Sequence, residues 1–599
     1  MQIESPKLVI VESPGKVKKI ASILGKEYRV IASVGHVRDL PLKEMGVKPP
    51  DFKPLYVPTE RGKEVIARLK KETAVAQKVL LATDPDREGE AIAWHLAEIL
   101  KLRAPERIVF TAITKERVLA AVANPGKIDI QRVRSQEARR VLDRIIGYRV
   151  SPALQTSLGK RVSAGRVQTP AVRLVVDRER EIRTFIPTEY YTAELLFETD
   201  NVTWKAVWDS KPYVLTGQQY MTDQKLAKRA SGVRRVTVKE FSDTLKNRPP
   251  APPFTTSTLQ QAASQRLKFR PKKTMDVAQK LYEQGAITYH RTDNPNIDPA
   301  GIADILSYAK KAKLSVADKP RRWKAREGAQ EGHEAIRPTH VADLTAAETQ
   351  EEKMLYKLIW QRAVASQLAD AVYAVRTARL KGDDFEYIAT GRTLKSSGWM
   401  SVYPADTQPE GADNPVPELT KGEQLEAIDG KMFKRRTQPP TRYTEATLVK
   451  ELERQGIGRP STYASIMEHI IEREYIKPDE KRYLVPTPLG ESVRDALVGK
   501  FRFAEFDYTR QMEDSLDLIA QGKDEYGKVV SSAWAALDDE LSGTEFTCEK
   551  CGRPMRRISG QFGFFWGCRG YPKCRATLPD INGRPGRERQ QKHTASSVV

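Results

Sequence analysis

The chain has 599 residues, with 100 Lys and Arg against 78 Asp and Glu and a formal charge of +22. That length exceeds what one hydrophobic core serves, so several packed units are expected, and the basic excess favours a polyanionic partner over a merely soluble basic surface. No apolar run approaches the ~18 residues of a membrane span, and all four cysteines lie between Cys548 and Cys574, which argues against a disulfide framework and for a cytoplasmic protein with one metal site.

From Lys7 to about Ala123, short apolar runs such as LVIV (8 to 11) and KVLLAT (78 to 83) alternate with helical patterns such as GEAIAWHLAEIL, an α/β layout. The stretch LVIVESPGK puts Glu12 just after the first predicted strand, with Lys16 four residues on; its SPGK lacks the glycine spacing of a nucleotide phosphate loop. In LLATDPDREGEAIAWHL, Asp84, Asp86 and Glu88 fall at a strand end where a helix begins, the place where α/β proteins bind ligands. A turn entering a helix can converge these carboxylates, and oxygen-only ligands suit Mg²⁺. Acids offsetting a helix dipole would account for Glu88 but not for the whole cluster.

Between Arg132 and Ile182 the pattern is helical on either side of the basic loop LGKRVSAGRVQ. Period-two alternation from Tyr190 to about Val238 predicts strands. After the Pro-rich NRPPAPPF (247 to 254), helical patterns run to about Ala371 before strands return, so a helical unit is inserted between β-rich stretches and could swing on them. RRTQPPTRYT (435 to 444) leads into helices to about Leu541.

Cys548-x₂-Cys551, sixteen residues, then Cys568-x₅-Cys574 fits a tetrahedral Cys₄ zinc ribbon holding Zn²⁺. Within GFFWGCRGYPKCR, Phe564, Phe565, Trp566 and Tyr571 interleave with Arg569, Lys573 and Arg575, a composition suited to stacking and phosphate contact on single-stranded DNA. Some of those rings are needed for the module's own core. The residues after Leu578 are expected to lack packed structure. Of the histidines, His95, His340, His469 and His593 read as surface or helix residues.

The motifs VESPGK, SVGHVRDLP, TDPDREGEAIAWHL, SAGRVQTPAV, AITYHRTDN, HEAIRPT and GIGRPSTYASI occur in that order. Together they resemble the bacterial type IA DNA topoisomerases, of the topoisomerase I kind, from about Lys7 to Leu578. The resemblance implies a multidomain α/β plus α and β fold closing a torus around DNA. Its parts would be a Toprim domain (1–125), a helical DNA-binding domain (126–185 and 445–541), a β-rich hinge domain (186–250 and 372–444), an inserted helical domain carrying the nucleophile (251–371), a C-terminal zinc ribbon (544–580) and a basic tail (581–599). It implies Glu12, Asp84, Asp86 and Glu88 as the Toprim acids, with Lys16, His36 and Arg87 as neighbours. Tyr289 in TYHRTD would be the nucleophile, aided by Arg291. Glu283, Asp143, Arg139, Ser163, Arg166, Gln168, His333 and Thr444 would contact DNA or the active site. The sequence departs from the family pattern at His290 and Asn294, where Met and Ser are usual, and at Ala112, where an acid is common.

By the same resemblance, a monomer would relax negatively supercoiled, single-stranded or underwound DNA using Mg²⁺ and Zn²⁺ and no ATP. It would cut one strand through a 5′-phosphotyrosyl ester, pass a strand and reseal. A tyrosine with an unperturbed pKa of ~10 needs help to attack at neutral pH; if 287 to 292 is extended, Arg291 shares a face with Tyr289 and can reach the same phosphate. Glu12 and Lys16 are both candidates to protonate the leaving sugar oxygen. Competing readings are a topoisomerase III-like decatenase, a Toprim nuclease or primase, and a non-enzymatic DNA-binding scaffold.

Overall fold

The computed structural model describes residues 7–325, 334–404, 414–541, 546–560, 563–568, 570–581 and 584–586. Alternation in the first strand, Lys7–Val11, sets out the N-terminal unit. Leu8 and Ile10 face Ile66, Leu69, Ile92 and Leu96 on one side of the sheet, while Val9 and Val11 face Ile20, Leu24 and Ile113 on the other. Both faces are covered, which is why the strand reads as an unbroken apolar run. The strands lie in the order Tyr28–Ala32, Lys7–Val11, Lys78–Ala82, Glu106–Arg107, all parallel. The helices Gly15–Leu24, Glu60–Val75 and Arg87–Leu100 make the crossovers.

A second core joins sequence-distant helices. Ile130–Leu158 and Gln168–Thr184 pack with Glu445–Gln455, Tyr463–Glu472, Pro488–Leu497, Phe506–Ala520 and Tyr526–Leu541. The segment after the second strand lays Leu40, Val47 and Phe52 into this core, and Arg140 grips Asp39 with two hydrogen bonds of 2.9 and 2.5 Å. The acidic cluster is thereby held against the helical unit.

A seven-stranded antiparallel sheet runs Gln424–Glu426, Arg235–Arg248, Ala371–Gly382, Phe385–Ser396, Val202–Trp208, Glu189–Thr199, Asp429–Arg436. The strand Arg235–Arg248 leads out to the helices Thr256–Leu267, Pro271–Glu283, Pro299–Lys311 and Gln350–Ser366. The chain returns on Ala371–Gly382, which pairs with the outgoing strand from Ala371 opposite Arg248. An inserted unit carried on two paired strands has one narrow base. Its core runs on into the Val9 and Val11 face of the N-terminal sheet through Tyr282, Ile287 and Tyr289.

The last strands, Met555–Gly560, Gly563–Cys568, Thr577–Ile581 and Arg584–Pro585, form one antiparallel sheet. This corrects the expectation of an unstructured stretch beginning after Leu578. The third strand reaches Ile581 and pairs back through Arg584–Pro585, and the Trp566 indole donates to Asp580 at 2.9 Å. Residues 587–599 lie outside the described residues. No helix among those described is long and apolar enough to cross a membrane.

Candidate active site and nucleic-acid interface

The site grows from the turn that ends the strand Lys78–Ala82. Asp86 is the N-cap of the helix Arg87–Leu100 and accepts the Gly89 N–H at 2.8 Å through Oδ1. A Cβ at Gly89 would come within 2.2 Å of the Asp84 carbonyl oxygen, so this tight turn admits only glycine there. Asp86 Oδ2 is left facing the inserted helical unit, where it accepts the Tyr289 hydroxyl at 2.7 Å and lies 3.4 Å from Arg291 Nη1. The same guanidinium nitrogen is 3.2 Å from Glu88, whose other oxygen is 3.7 Å from His36 Nε2.

Lys16, in the first turn of the helix Gly15–Leu24, forms a buried ion pair with Asp84 and places its ammonium 5.2 Å from the centre of the Tyr282 ring. Glu12 lies beside them and accepts the Asp84 N–H at 3.4 Å. Glu283 comes from across the seam, and a Cβ on Gly15 would overlap its carboxylate. Segments 200 residues apart in sequence therefore meet at one point.

The stretch from 288 to 292 is not a strand; only Ile287 makes an isolated bridge, to Pro338. Tyr289 is positioned by its own N–H, which donates to the Thr111 carbonyl of the N-terminal unit at 2.7 Å. Tyr289 and Arg291 still converge, on Asp86 rather than through an extended backbone.

Burial, reinforced by Asp84 and opposed by Lys16, raises the Glu12 carboxyl to about 8. Burial also pushes the Tyr289 phenol well above its usual value; Asp86 and Asp84 add to this, and Arg291 opposes it. Arg291 acts on the phenol in the expected direction, but burial and the two aspartates outweigh it. Burial holds the neighbouring His290 neutral, with its ring centre 5.2 Å from that of Tyr289.

A cavity of about 250 Å³ opens beside this centre, lined among others by Arg87, Arg139, Arg291, Arg459 and Ser461. Its basic wall is braced from behind. Arg139 makes a two-pronged contact with Glu513 at 3.0 and 2.7 Å. Arg166 bridges Asp143, at 2.9 Å, and Glu513, while Asp517 joins Arg87 to Arg459. The fully buried Glu513 is held well below the usual carboxylate range because Arg139, Arg166 and Arg459 together outweigh its burial. Glu513, Asp517 and Arg459 were not singled out in the sequence. Arg459 stands in GIGRPSTYASI, so its motif was a signal, but the two acids sit on an amphipathic helix and read as solvated charge.

The remaining candidates are more dispersed. Ser163 N–H donates to the Tyr475 hydroxyl at 2.8 Å, and the Gln168 amide is 3.1 Å from His469 Nδ1. Thr444 is the N-cap of Glu445–Gln455, a structural task that accounts for its presence without DNA. His333 lies outside the described residues. His95 lies within its helix but is buried; it accepts Arg38 Nε at 2.6 Å, and its pKa is driven down to about 2 by burial first and then by Arg38.

Among the described residues, only the four cysteines bring their ligand atoms within 4.8 Å of one another, with Sγ separations of 3.7 Å (Cys548 to Cys574) and 3.3 Å (Cys551 to Cys568). Four soft sulfur donors at that spacing fit Zn²⁺. The acids do not converge as closely as the sequence suggested, because Lys16, Arg291 and His36 are interposed among them. Their chemistry nevertheless fits Mg²⁺. Oxygen donors from Glu12, Asp84 and Asp86 lie in one region, where burial first and then the charges of Asp84 and Asp86 raise the Glu12 carboxyl, and a divalent cation would offset that like charge.

Comparisons with known proteins agree with this geometry. The family model described as DNA topoisomerase matches residues 127–531, the Toprim domain matches 7–113, and the topoisomerase DNA-binding C4 zinc finger matches 545–582. A DNA topoisomerase I described as plasmid, from Xylella fastidiosa (strain 9a5c), is 51% identical over 604 residues, covering 97% of this chain and 91% of that protein. The structure of full-length topoisomerase I from Thermotoga maritima superposes with a TM-score of 0.80 at 34% identity, covering 96% of this chain and 98% of that one. With two thirds of its length under one family model and nearly all of it aligned to topoisomerases I, the chain belongs to the bacterial type IA DNA topoisomerases.

Proposed function

We propose that this isomerase relaxes negatively supercoiled DNA in the cytoplasm, acting as a monomer on single-stranded or underwound segments, with Tyr289 as its nucleophile. The observation that carries the residue assignment is the meeting of Tyr289, Asp86 and Arg291 at the seam between the N-terminal sheet and the inserted helical unit. Tyr289 is only 2% exposed, so a DNA strand reaches it after that seam loosens. Loosening takes the phenol out of the buried environment that raises its pKa. Asp86, already accepting the phenol hydrogen, is the nearest group to receive the proton.

Attack by the Tyr289 oxygen on a backbone phosphorus forms the phosphotyrosyl ester and breaks the bond to the 3′ oxygen of the neighbouring sugar, leaving the protein on the 5′ phosphate. Arg291 and Lys16 offset charge on the phosphate. The departing 3′ oxygen needs a proton, and Glu12 carries one at neutral pH, whereas Lys16 is engaged with Asp84; Glu12 is therefore the preferred donor. Resealing reverses these steps, so the ester conserves the bond energy and no ATP is consumed. Mg²⁺, held by Glu12, Asp84 and Asp86 with Glu88 nearby, would supply charge neutralisation at the two DNA ends. A primase or nuclease would share these acids but not need the tyrosine. The relatives named topoisomerase I favour relaxation over a decatenating role.

A pH profile tests the acid. Glu12 is protonated below about pH 8 and ionised above it, so single-turnover cleavage of an oligonucleotide in EDTA should fall as pH rises through that value. Glu12→Gln should slow cleavage by roughly 10²-fold and flatten that limb. An unchanged alkaline limb in the variant would assign the proton to another group.

The ribbon is proposed to add affinity for a single strand without joining the chemistry, because a tethered module raises the local concentration of substrate. It exposes Phe564 and Tyr571, 53% and 69% accessible, together with Lys573 and Arg575. Cys568→Ser or deletion of 544–599 should make plasmid relaxation slower and more distributive, by about tenfold at moderate salt, while oligonucleotide cleavage persists. Equal loss of both activities would make the ribbon a support of the catalytic fold, and unchanged topoisomer ladders would remove it from substrate binding.

A further inference from the structure

The seam that must loosen before Tyr289 meets DNA is held at several points, and one of them lies outside the chemistry. Arg117 projects from the first turn of the helix Lys115–Ala123 in the N-terminal unit. Its Nη1 donates to Thr111 Oγ1 at 3.0 Å. Its Nη2 crosses the seam to form ion pairs with Asp298 and, at 3.2 Å, with Glu334 of the inserted unit. Arg337 completes the receiving side, 2.7 Å from Glu334 and 3.2 Å from Asp298. Asp298 is meanwhile the N-cap of Pro299–Lys311.

We infer that Arg117 is a latch that positions the Tyr289 segment, setting how often the inserted unit lifts off the N-terminal unit; the consequence for strand passage rests on the reading of Tyr289 given above. Closed, two guanidiniums face two carboxylates and the cluster is neutral. Open, Arg117 departs to water with its own unit, and Asp298 and Glu334 keep only Arg337. Glu334 is 6% exposed, so one uncompensated negative charge is left in a poorly solvated place, and that penalty favours closure. Arg117 also braces Thr111, the residue whose carbonyl receives the Tyr289 N–H. Arg117 and Thr111 move together, so when the latch lets the units part, the Tyr289 N–H loses its bond to the Thr111 carbonyl.

The other ion pairs of the inserted unit are placed differently. Those of Arg291 belong to the active site. On the far flank, Arg270 with Glu445 and Lys272 with Glu468 span 2.8 and 3.6 Å from basic side chains that are 58% and 56% exposed. Such pairs are screened and contribute little. Arg117 is the less exposed cation, and it faces the better buried acid.

The test uses the full-length, DNA-free protein and hydrogen–deuterium exchange. The Tyr289 amide is bonded across the seam, whereas its neighbours Thr288 and Thr292 donate within their own unit, to the Arg337 carbonyl and to Thr256 Oγ1. Arg117→Ala should accelerate exchange at Tyr289 roughly five- to tenfold while leaving the amides of Pro299–Lys311 unchanged. Arg117→Lys should restore part of the protection. Asp298→Asn, which keeps an N-cap oxygen, should reproduce the effect and add little to it in the double variant. Wild-type exchange at Tyr289 should rise more steeply between low and high salt than exchange in Arg117→Ala. Unchanged exchange at Tyr289 would overturn the latch, and so would an equal rise throughout Pro299–Lys311, which would mark a general destabilisation. Exchange is read without turnover, so failure of the latch is separable from failure of Tyr289 as nucleophile, which is judged by adduct formation.

Discussion

Tyr289→Phe is expected to abolish the denaturant-trapped protein–DNA adduct and to reduce plasmid relaxation by on the order of 10⁴ to 10⁶, the scale seen when a covalent nucleophile is removed. The substitution deletes one oxygen. The ring keeps its edge-on contact with Tyr282, at a centroid distance of 5.2 Å, and its buried place in the core shared by the two units. Asp86 loses the phenol as a donor but retains Arg291 nearby. Binding of single-stranded DNA should therefore change by no more than about twofold, since phosphate contacts elsewhere dominate affinity. Filter binding and adduct trapping on the same preparation separate the two effects. Relaxation that persists in the variant would remove Tyr289 from the chemistry.

Replacing Asp84 and Asp86 together by Ala should depress relaxation more than initial cleavage, by about 10³-fold against about tenfold. The two carboxylates do different work. Asp84 neutralises Lys16 in a pair that is almost wholly buried, whereas Asp86 both caps the helix and receives the Tyr289 hydroxyl. Losing them strips the proposed Mg²⁺ site of two of its oxygen donors, leaves Lys16 without its buried partner and leaves Arg291 with Glu88 alone. Cleavage slows because the phenol loses its acceptor. Resealing suffers more, because the two DNA ends then have to be held without that charge neutralisation. Nicked, protein-linked plasmid should accumulate relative to relaxed product. Full relaxation by the double variant in EDTA would remove both the metal and these acids from the mechanism.

The centre of the site was legible from sequence because its residues stand in short motifs at the ends of regular elements. Asp84 and Asp86 follow an apolar strand, and Glu12 and Lys16 follow another; an α/β crossover brings neighbouring strand ends together. The zinc ribbon was legible from cysteine spacing alone. What could not be read was long-range compensation. Glu513 and Asp517 look like solvent-facing charges of the helix Phe506–Ala520, and only folding reveals that they gather Arg87, Arg139, Arg166 and Arg459 from four distant places. The spacing of Tyr289 and Arg291 suggests an extended run over 287 to 292, yet the segment is held by hydrogen bonds with Thr111, Arg337 and Thr256, residues far away in sequence, which no local periodicity encodes. Electrostatic state was equally hidden. Arg291 two residues from Tyr289 suggested a lowered phenol pKa, and its effect has that sign but is outweighed by burial and by Asp86 and Asp84.

The most direct measurement is the covalent adduct itself. Full-length protein is mixed with a single-stranded oligonucleotide labelled separately at each end, stopped with denaturant, digested with protease and analysed by mass spectrometry. The account predicts that the label downstream of the cut stays with the protein, joined through a 5′ phosphate to the peptide containing Tyr289, and that the upstream fragment is released with a free 3′ hydroxyl. An adduct on another residue, attachment through a 3′ phosphate, or cleavage with no adduct would contradict it.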